Sequence, residues 1–389
     1  VKDGIILNEL AKEIQTDVPA IIVAAGPSVK RSLEGLKRAK GKAYIFVVDR
    51  ILDYVLDHGI EPDFAVTIDP IKPVEYFSKR EDIAFPLLCE QVSNYEILDR
   101  HKGKKIFYGS HPYFEKMYQA VDKTPPNLST GASVATAAFA ACVWMGFTKI
   151  ILVGQDLAFE GEYSHAGGIT EKIASDQDLM VEGIDGKPVR SRYDWNEFLI
   201  WFKDMLILNP EIKVIDAKDK GAKIQGTQIM PLDEAIDTYC TKETGGMQAI
   251  NNMQSFTSED LVKMKEYLEK SRENIKAILK RAKEALQICD FQIHEYNRDL
   301  CDTKLTRENN RKLGKINNYI NKQPSYSLLD TYITSLAAND ISKLYQFTDD
   351  TRNDKLETYE RAKKIYEAII SAAEKVLPML KDSLKYLES

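Results

Sequence analysis

The sequence predicts an α/β domain built on a mainly parallel sheet with helices on both faces, followed by an all-α C-terminal domain. Three observations carry this. Between about residues 18 and 240, seven apolar runs (AIIVAA, AYIFVVD, DFAVTID, IAFPLLCE, KKIFYGS, KIILVGQD and IKVIDA) recur between helix-like segments. The strongest show no polar alternation, as expected of strands covered on both faces. Several stop abruptly in glycine or polar turns, notably at Gly26-Pro27-Ser28 and Gly154-Gln155-Asp156. From about Thr257 the strands cease and apolar residues recur every seven positions, the mark of packed helices. A chain of 389 residues, 44% hydrophobic and 29% charged, can build more than one core.

Taken in order, residues 1–17 form a lead-in to the α/β domain, 18–240, and the first strand covers about 20–25. Gly26 permits a tight turn, and Pro27 suits the first helical position, where its missing N–H costs nothing. The amides of Ser28 and Val29 are then left at a helix N-terminus, an end that attracts phosphate or serves as a plain strand-to-helix turn. The second strand ends at Asp49, about twenty residues on, the separation at which an acid accepts from ribose hydroxyls; a capping or ion-pairing role fits it equally well. The third ends at Thr67, Asp69 and Pro70. In NLSTGASVATAAFAACVWMGF, residues 127–147, Ser129 or Thr130 can cap a helix and Gly131 lets a ligand approach the backbone, with Ser133 following. The apolar run 132–147 is too short, and too interrupted by Ser133 and Thr136, to span a bilayer comfortably, and reads as a buried helix. A later strand ends at Gly154, Gln155 and Asp156. Asp69 and Asp156 each suit a metal or a helix N-cap, but neither belongs to a D-x-D pair.

Residues 241–256, rich in Gly, Asn and Gln, form a linker to the helical domain, 257–389. There Leu261, Leu268, Ile275, Ala282 and Cys289 form one line of a heptad seam; Met264, Ile278 or Leu279, Leu286 and Ile293 form the other. One or two shorter helices fit 304–344, and a long one fits 353–386 with Pro378 as a kink or restart. This seam either closes on itself as a bundle, or offers a groove to a helical partner or a second copy of the chain.

A net charge of −6 gives no overall pull toward nucleic acid or anionic membrane. Five widely spaced cysteines suggest neither a disulfide framework nor a zinc site, and a reducing cytoplasm fits them best. No signal peptide or membrane insertion is expected.

In order and spacing, IIVAAGPSVKRSLEGLK, VVDRILDYVLDHGIEPDFAVTIDP and LSTGASVATAAFAACVWMGFTKIILVGQDLAFEGEYSHAGG resemble the motility accessory factor family of bacterial flagellin glycosyltransferases. The later IKVIDAKDKGAKIQGTQIMPLDEAI is similar to that family's close of the catalytic domain. The resemblance covers about residues 18–240. It implies a Rossmann-like core, shared with bacterial sialyltransferases, and transfer of a nonulosonic acid such as pseudaminic acid from a CMP-activated donor to Ser or Thr of flagellin. The same superfamily includes archaeal 6-hydroxymethyl-dihydropterin diphosphokinases, whose use of ATP and magnesium implies more acidic strand ends than TIDP and VGQD. The resemblance to flagellin transferases also implies a long N-terminal domain that this sequence does not show, and the chain begins at Val1, which points to a fragment or a shorter relative.

For sugar transfer, the departing phosphate needs amides, hydroxyls or cations, which Gly26, Ser28, Gly131 and Ser133 can supply. The acceptor hydroxyl needs a base, and His165 in the Gly-flanked loop FEGEYSHAGG meets that need, with Tyr163 positioned to donate to the phosphate or sugar carboxylate. Asp156 and Asp69 are next in line as bases. Gly26, Pro27, Ser28, Asp49, Asp69, Ser129, Thr130, Gly131, Ser133 and Gln155 form the expected nucleotide-binding set. No metal or cofactor is required on this reading. His58 and His111 read as structural. A non-catalytic module that senses nucleotide or holds flagellin is the remaining alternative.

Overall fold

The computed structural model describes residues 2, 4–109, 111–166, 178–301, 303–343 and 351–388. Two compact units result, one of residues 1–111 and 124–256, the other of 112–123 and 257–389.

The first unit holds a nine-stranded sheet in which every neighbouring pair is parallel. Its strands are β1 (Ile5–Ile6), β2 (Ala20–Val23), β3 (Tyr44–Val48), β4 (Phe64–Thr67), β5 (Leu87–Glu90), β6 (Lys105–Tyr108), β7 (Lys149–Val153), β10 (Lys213–Asp216) and β11 (Gln228–Ile229). All seven anticipated runs are strands. The two short edge strands, and the separate hairpin of β8 (Asp178–Glu182) and β9 (Pro188–Arg192), carried no comparable signal.

Successive residues of the central strands enter opposite cores. Ile21, Val23, Ile45, Val47, Ile151 and Val153 join one cluster, while Ala20, Ile22, Tyr44, Phe46, Ile150 and Leu152 join the other. Both sets need apolar side chains, so the sequence shows no alternation. The first core is closed by α2 (Leu33–Ala39), α3 (Leu52–Asp57) and α8 (Leu232–Tyr239), the second by α1 (Leu7–Glu13), α6 (Val134–Met145) and α7 (Tyr193–Leu208). Residues 5–13, within the expected lead-in, complete the sheet edge and pack on α6. In the 241–256 segment, the short α9 (Gln248–Asn252) buries Ile250 in the second core.

Strand order is β1-β6-β5-β4-β3-β2-β7-β10-β11. From β2 the chain builds outward to β6, then returns through α6 to lay β7 on the other flank of β2. The order therefore reverses between β2 and β7, and in open parallel sheets ligands bind beyond the carboxyl ends at such a point.

The second unit takes α5 (Pro112–Gln119) out of the α/β segment, because the Tyr113 ring packs on Tyr267 with centroids 5.3 Å apart. The long α10 (Ser258–Asn297) lies against α13 (Arg352–Glu388), with α11 (Lys304–Asn321) and α12 (Asp330–Lys343) between them in sequence. Ion pairs of Lys265 with Glu388, Lys283 with Glu374 and Lys363 with Asp290 show that α10 and α13 run antiparallel.

Candidate active site

At the reversal point the β2 and β7 loops touch. The Gly26 amide donates to the Gly154 carbonyl at 2.7 Å, and a Cβ on Gly26 would lie 2.4 Å from that oxygen and 2.6 Å from Asp156 Cγ. Gly26 has φ −63°, so glycine is needed here for room and not for conformational freedom. Pro27 opens a 3-10 turn, Pro27–Arg31, as its fixed φ favours.

The amide of Ser28 is already engaged. It donates to Asp156 Oδ2 at 2.7 Å, and the Ser28 hydroxyl donates to Oδ1 at 2.5 Å. This turn holds the Asp156 carboxylate, so the phosphate expected at Ser28 would have to compete with that side chain. Asp156 is buried; burial pushes its carboxyl above the usual range, against the pull of Ser28 and Lys218.

Lys218, which the sequence reading did not single out, has a fully buried side chain. Its Nζ donates to the Gln155 carbonyl and lies 2.9 Å from Asp216 Oδ2. Burial raises the Asp216 carboxyl as well. Two buried carboxylates at the ends of β7 and β10 thus share the influence of one ammonium, and Gln155 Oε1 beside them is buried without a hydrogen-bond partner.

Two strands to the other side, Asp49 is buried. It accepts from Thr67 Oγ1 at 2.7 Å and from Lys72 Nζ at 2.5 Å, while its Oδ1 has no partner. Asp69 shapes the following loop by accepting from the Ile71 amide at 2.9 Å. Ser129 is exposed and Thr130 partly so. Neither caps α6, since Ser133 does so in a reciprocal box with Thr136. Gly131 lies under Trp201, whose ring a Cβ would meet at 2.6 Å, so close packing and not ligand approach accounts for this glycine. Ala132 (φ 60°) and Leu157 (φ 48°) hold the left-handed conformation in these same loops, a strain that non-glycine residues seldom carry.

The loop bearing His165 is fastened to β2 by the Ala166 amide, which donates to the Ala25 carbonyl at 2.8 Å. His165 Nδ1 lies 2.9 Å from the Ser164 hydroxyl, and its ring meets Trp195 edge-on at 6.3 Å. Tyr163 is about half exposed. Gly168, the expected far end of this loop, lies outside the described residues.

Two neighbouring cavities open at this edge. One of ≈ 440 Å³ is lined by Arg31, Asp156, Phe159, Glu160, Asp219 and Lys220, among others; one of ≈ 390 Å³ includes Ser28, Arg31, Lys218 and Asp219 in its wall. The structure therefore gathers Gly26, Pro27, Ser28, Gln155, Asp156 and the His165 loop at one point. It sets Asp49 and Asp69 along the same edge, and leaves Ser129, Thr130, Gly131 and Ser133 with local or packing roles. Among the described residues, no group of three or more His, Cys, Asp or Glu is arranged to hold a metal, and no helix is long and apolar enough to cross a membrane.

Residues 2–162 match the family model described as 6-hydroxymethylpterin diphosphokinase MptE-like. The matched segment takes in β1 to β7, the Gly26 turn and Asp156, and stops just short of Tyr163 and His165. The whole chain is also similar, at 14% identity and a TM-score of 0.49, to a solved structure of a Maf glycosyltransferase from Magnetospirillum magneticum AMB-1, and spans 61% of that longer chain. No curated protein matches it.

Proposed function

We propose that the protein is a cytoplasmic glycosyltransferase that moves a nonulosonic sugar from a CMP-activated donor to Ser or Thr of flagellin. The observation that carries this reading is the crevice between β2 and β7, where cations and a histidine loop converge at the strand ends. Departure of CMP builds negative charge on phosphate, and Arg31 at the cavity wall answers that charge. The bare Oδ1 of Asp49 suits a ribose hydroxyl as donor. His165 takes the acceptor proton, Tyr163 reaches the phosphate or the sugar carboxylate, and Asp156, with its raised pKa, is the second base. The helical unit engages flagellin.

The family description favours a second reading, diphosphoryl transfer from ATP, with magnesium, to the hydroxyl of a hydroxymethylpterin with release of AMP. Two strand-end acids are already engaged, Asp156 with Ser28 and Asp216 with the Lys218 ammonium, which supports the transferase reading over one that needs magnesium there. A thermal-shift panel of CMP, CDP, UDP, ATP and a dihydropterin, with and without magnesium, separates the two. CMP or CDP is expected to stabilise most, with EDTA without effect, and CMP-pseudaminate is expected to be consumed only with flagellin present. A requirement for ATP and magnesium would overturn the transferase reading. Stabilisation without turnover would leave only a binding module.

A further inference from the structure

Three cations from two separate segments converge on one carboxylate. Lys30 Nζ lies 3.1 Å from Glu160 Oε2, Arg31 Nη1 donates to Oε1 at 3.0 Å, and Lys220 Nζ lies 3.5 Å from Oε1. Arg31 also holds Asp219 at 2.7 Å through its other terminal nitrogen. Isolated surface ion pairs contribute little and need no function. This group differs in two respects. Arg31, Glu160 and Lys220 line the ≈ 440 Å³ cavity, Lys30 reaches the same Glu160 carboxylate, and the three cations repel one another unless an anion lies among them. Of the other acids on that cavity, Asp219 pairs with Arg31, Asp156 is turned to Ser28 and Asp185 accepts from the Lys187 amide, so Glu160 is the carboxylate that all three cations share.

We infer that Lys30, Arg31 and Lys220 form a subsite for an anionic ligand group, a phosphate or a carboxylate, in which the Glu160 carboxylate stands as the resident substitute until the ligand displaces it. Asp219 holds one terminal nitrogen of Arg31 and Glu160 the other, so a ligand that replaces Glu160 meets Arg31 Nη1 and the two ammonium groups, where two negative charges outcompete a single carboxylate. Burial alone raises Glu160, yet its bonds to Lys30 and Arg31 outweigh this and hold it below the usual range, as they would hold a bound anion charged. The natural ligand, but not the subsite, rests on the transferase reading: a CMP-sugar acid offers both a phosphate and a carboxylate.

The test is calorimetric titration of the full chain at low and moderate salt with pyrophosphate, CMP, free N-acetylneuraminate and, as the uncharged control, cytidine. Arg31→Ala is expected to weaken the anions about ten- to a hundredfold, and Lys220→Ala less. Glu160→Gln removes the resident competitor and is expected to tighten them severalfold. Cytidine should not respond to any of these changes. Loss confined to pyrophosphate and CMP assigns the subsite to phosphate; loss confined to N-acetylneuraminate assigns it to carboxylate. Should Arg31→Ala unfold, Glu160→Gln and Arg31→Lys carry the same reading in folded protein. Weaker or unchanged anion binding by Glu160→Gln would overturn the inference and leave the cluster a structural clasp. Pyrophosphate binding that depends on Arg31, in a protein indifferent to CMP, would sink the transferase reading and keep the subsite. Sugar transfer with all variants binding as the parent does would do the reverse.

Discussion

At Gly26 space decides more than chemistry. The Gly26→Val side chain meets the Gly154 carbonyl and Asp156 before it meets any ligand, so the variant is expected to lose about 1–3 kcal/mol of stability in urea unfolding. Nucleotide binding then falls because the crevice shifts. A parental urea midpoint with binding abolished would show that the glycine serves ligand approach instead. His165 makes the opposite prediction. His165→Asn keeps size and some hydrogen bonding but cannot take a proton, so transfer should slow about 10²–10⁴-fold with CMP affinity unchanged. Loss of CMP affinity would make it a phosphate ligand. Gly26, Ser28, Asp156 and His165 were legible because turn residues and strand ends stand out locally. Lys218 was not, since it sits in DAKDKG, a charged run that reads as solvated, and only the position of β10 beside β7 buries it.

Among the elements, α10 follows its heptads in one line and departs in the other. Leu268, Ile275, Ala282 and Cys289 are buried as expected and Leu261 only partly so; in the second line Met264 and Ile278 are buried as expected, but Ser271, Ala285 and Gln292 take the other places and leave Leu286 and Ile293 only partly covered. Steps of alternating three and four residues select these positions, and larger apolar neighbours one place along flank the seam. Of the kink or restart expected at Pro378, the restart is not seen: the partner helix α13 continues through it without ending. Pro378 is exposed and removes one helical hydrogen bond, so Pro378→Ala should stabilise the helical unit by about 2 kcal/mol, seen as a higher melting temperature. All five cysteines are free thiols, with only Cys301 partly exposed, and burial pushes Cys89 and Cys289 up to about 12. Alkylation at neutral pH should therefore label Cys301 in the native protein and all five in denaturant. Rapid native labelling of Cys289 would contradict the packing of α10 on α13.

For the whole molecule, His101 sets a pH limit on the first unit. It is buried between Phe77 and Phe85, its Nε2–H donates to the Phe85 carbonyl, and its Nδ1 lies buried without a partner. Burial, with Lys105 nearby, lowers its pKa to about 4. The unfolded chain, with an ordinary value near 6.5, then binds the proton first, so stability is full above pH 6.5 and is lost as pH falls toward 4, by about 3 kcal/mol. Asp156 and Asp216, raised by burial, act with the opposite sign as pH rises from the ordinary carboxylate value. The clean readout is thus the difference from His101→Gln, whose denaturant midpoint should fall less between pH 7 and 4.5. Parallel curves would exclude His101 as the cause. The sequence by itself determined the seven inner strands of the sheet, the buried alanine-rich helix, the helical C-terminal region and the polar strand ends, because periodicity and turn residues act between near neighbours in the chain. Only the tertiary structure decided which end meets which: Asp156 reaches Ser28 across 128 residues and Asp219 reaches Arg31 across 188. Those pairings follow from the order in which parallel strands are laid down, which no local pattern encodes, and they turned an expected open phosphate turn into one filled by the protein's own carboxylate.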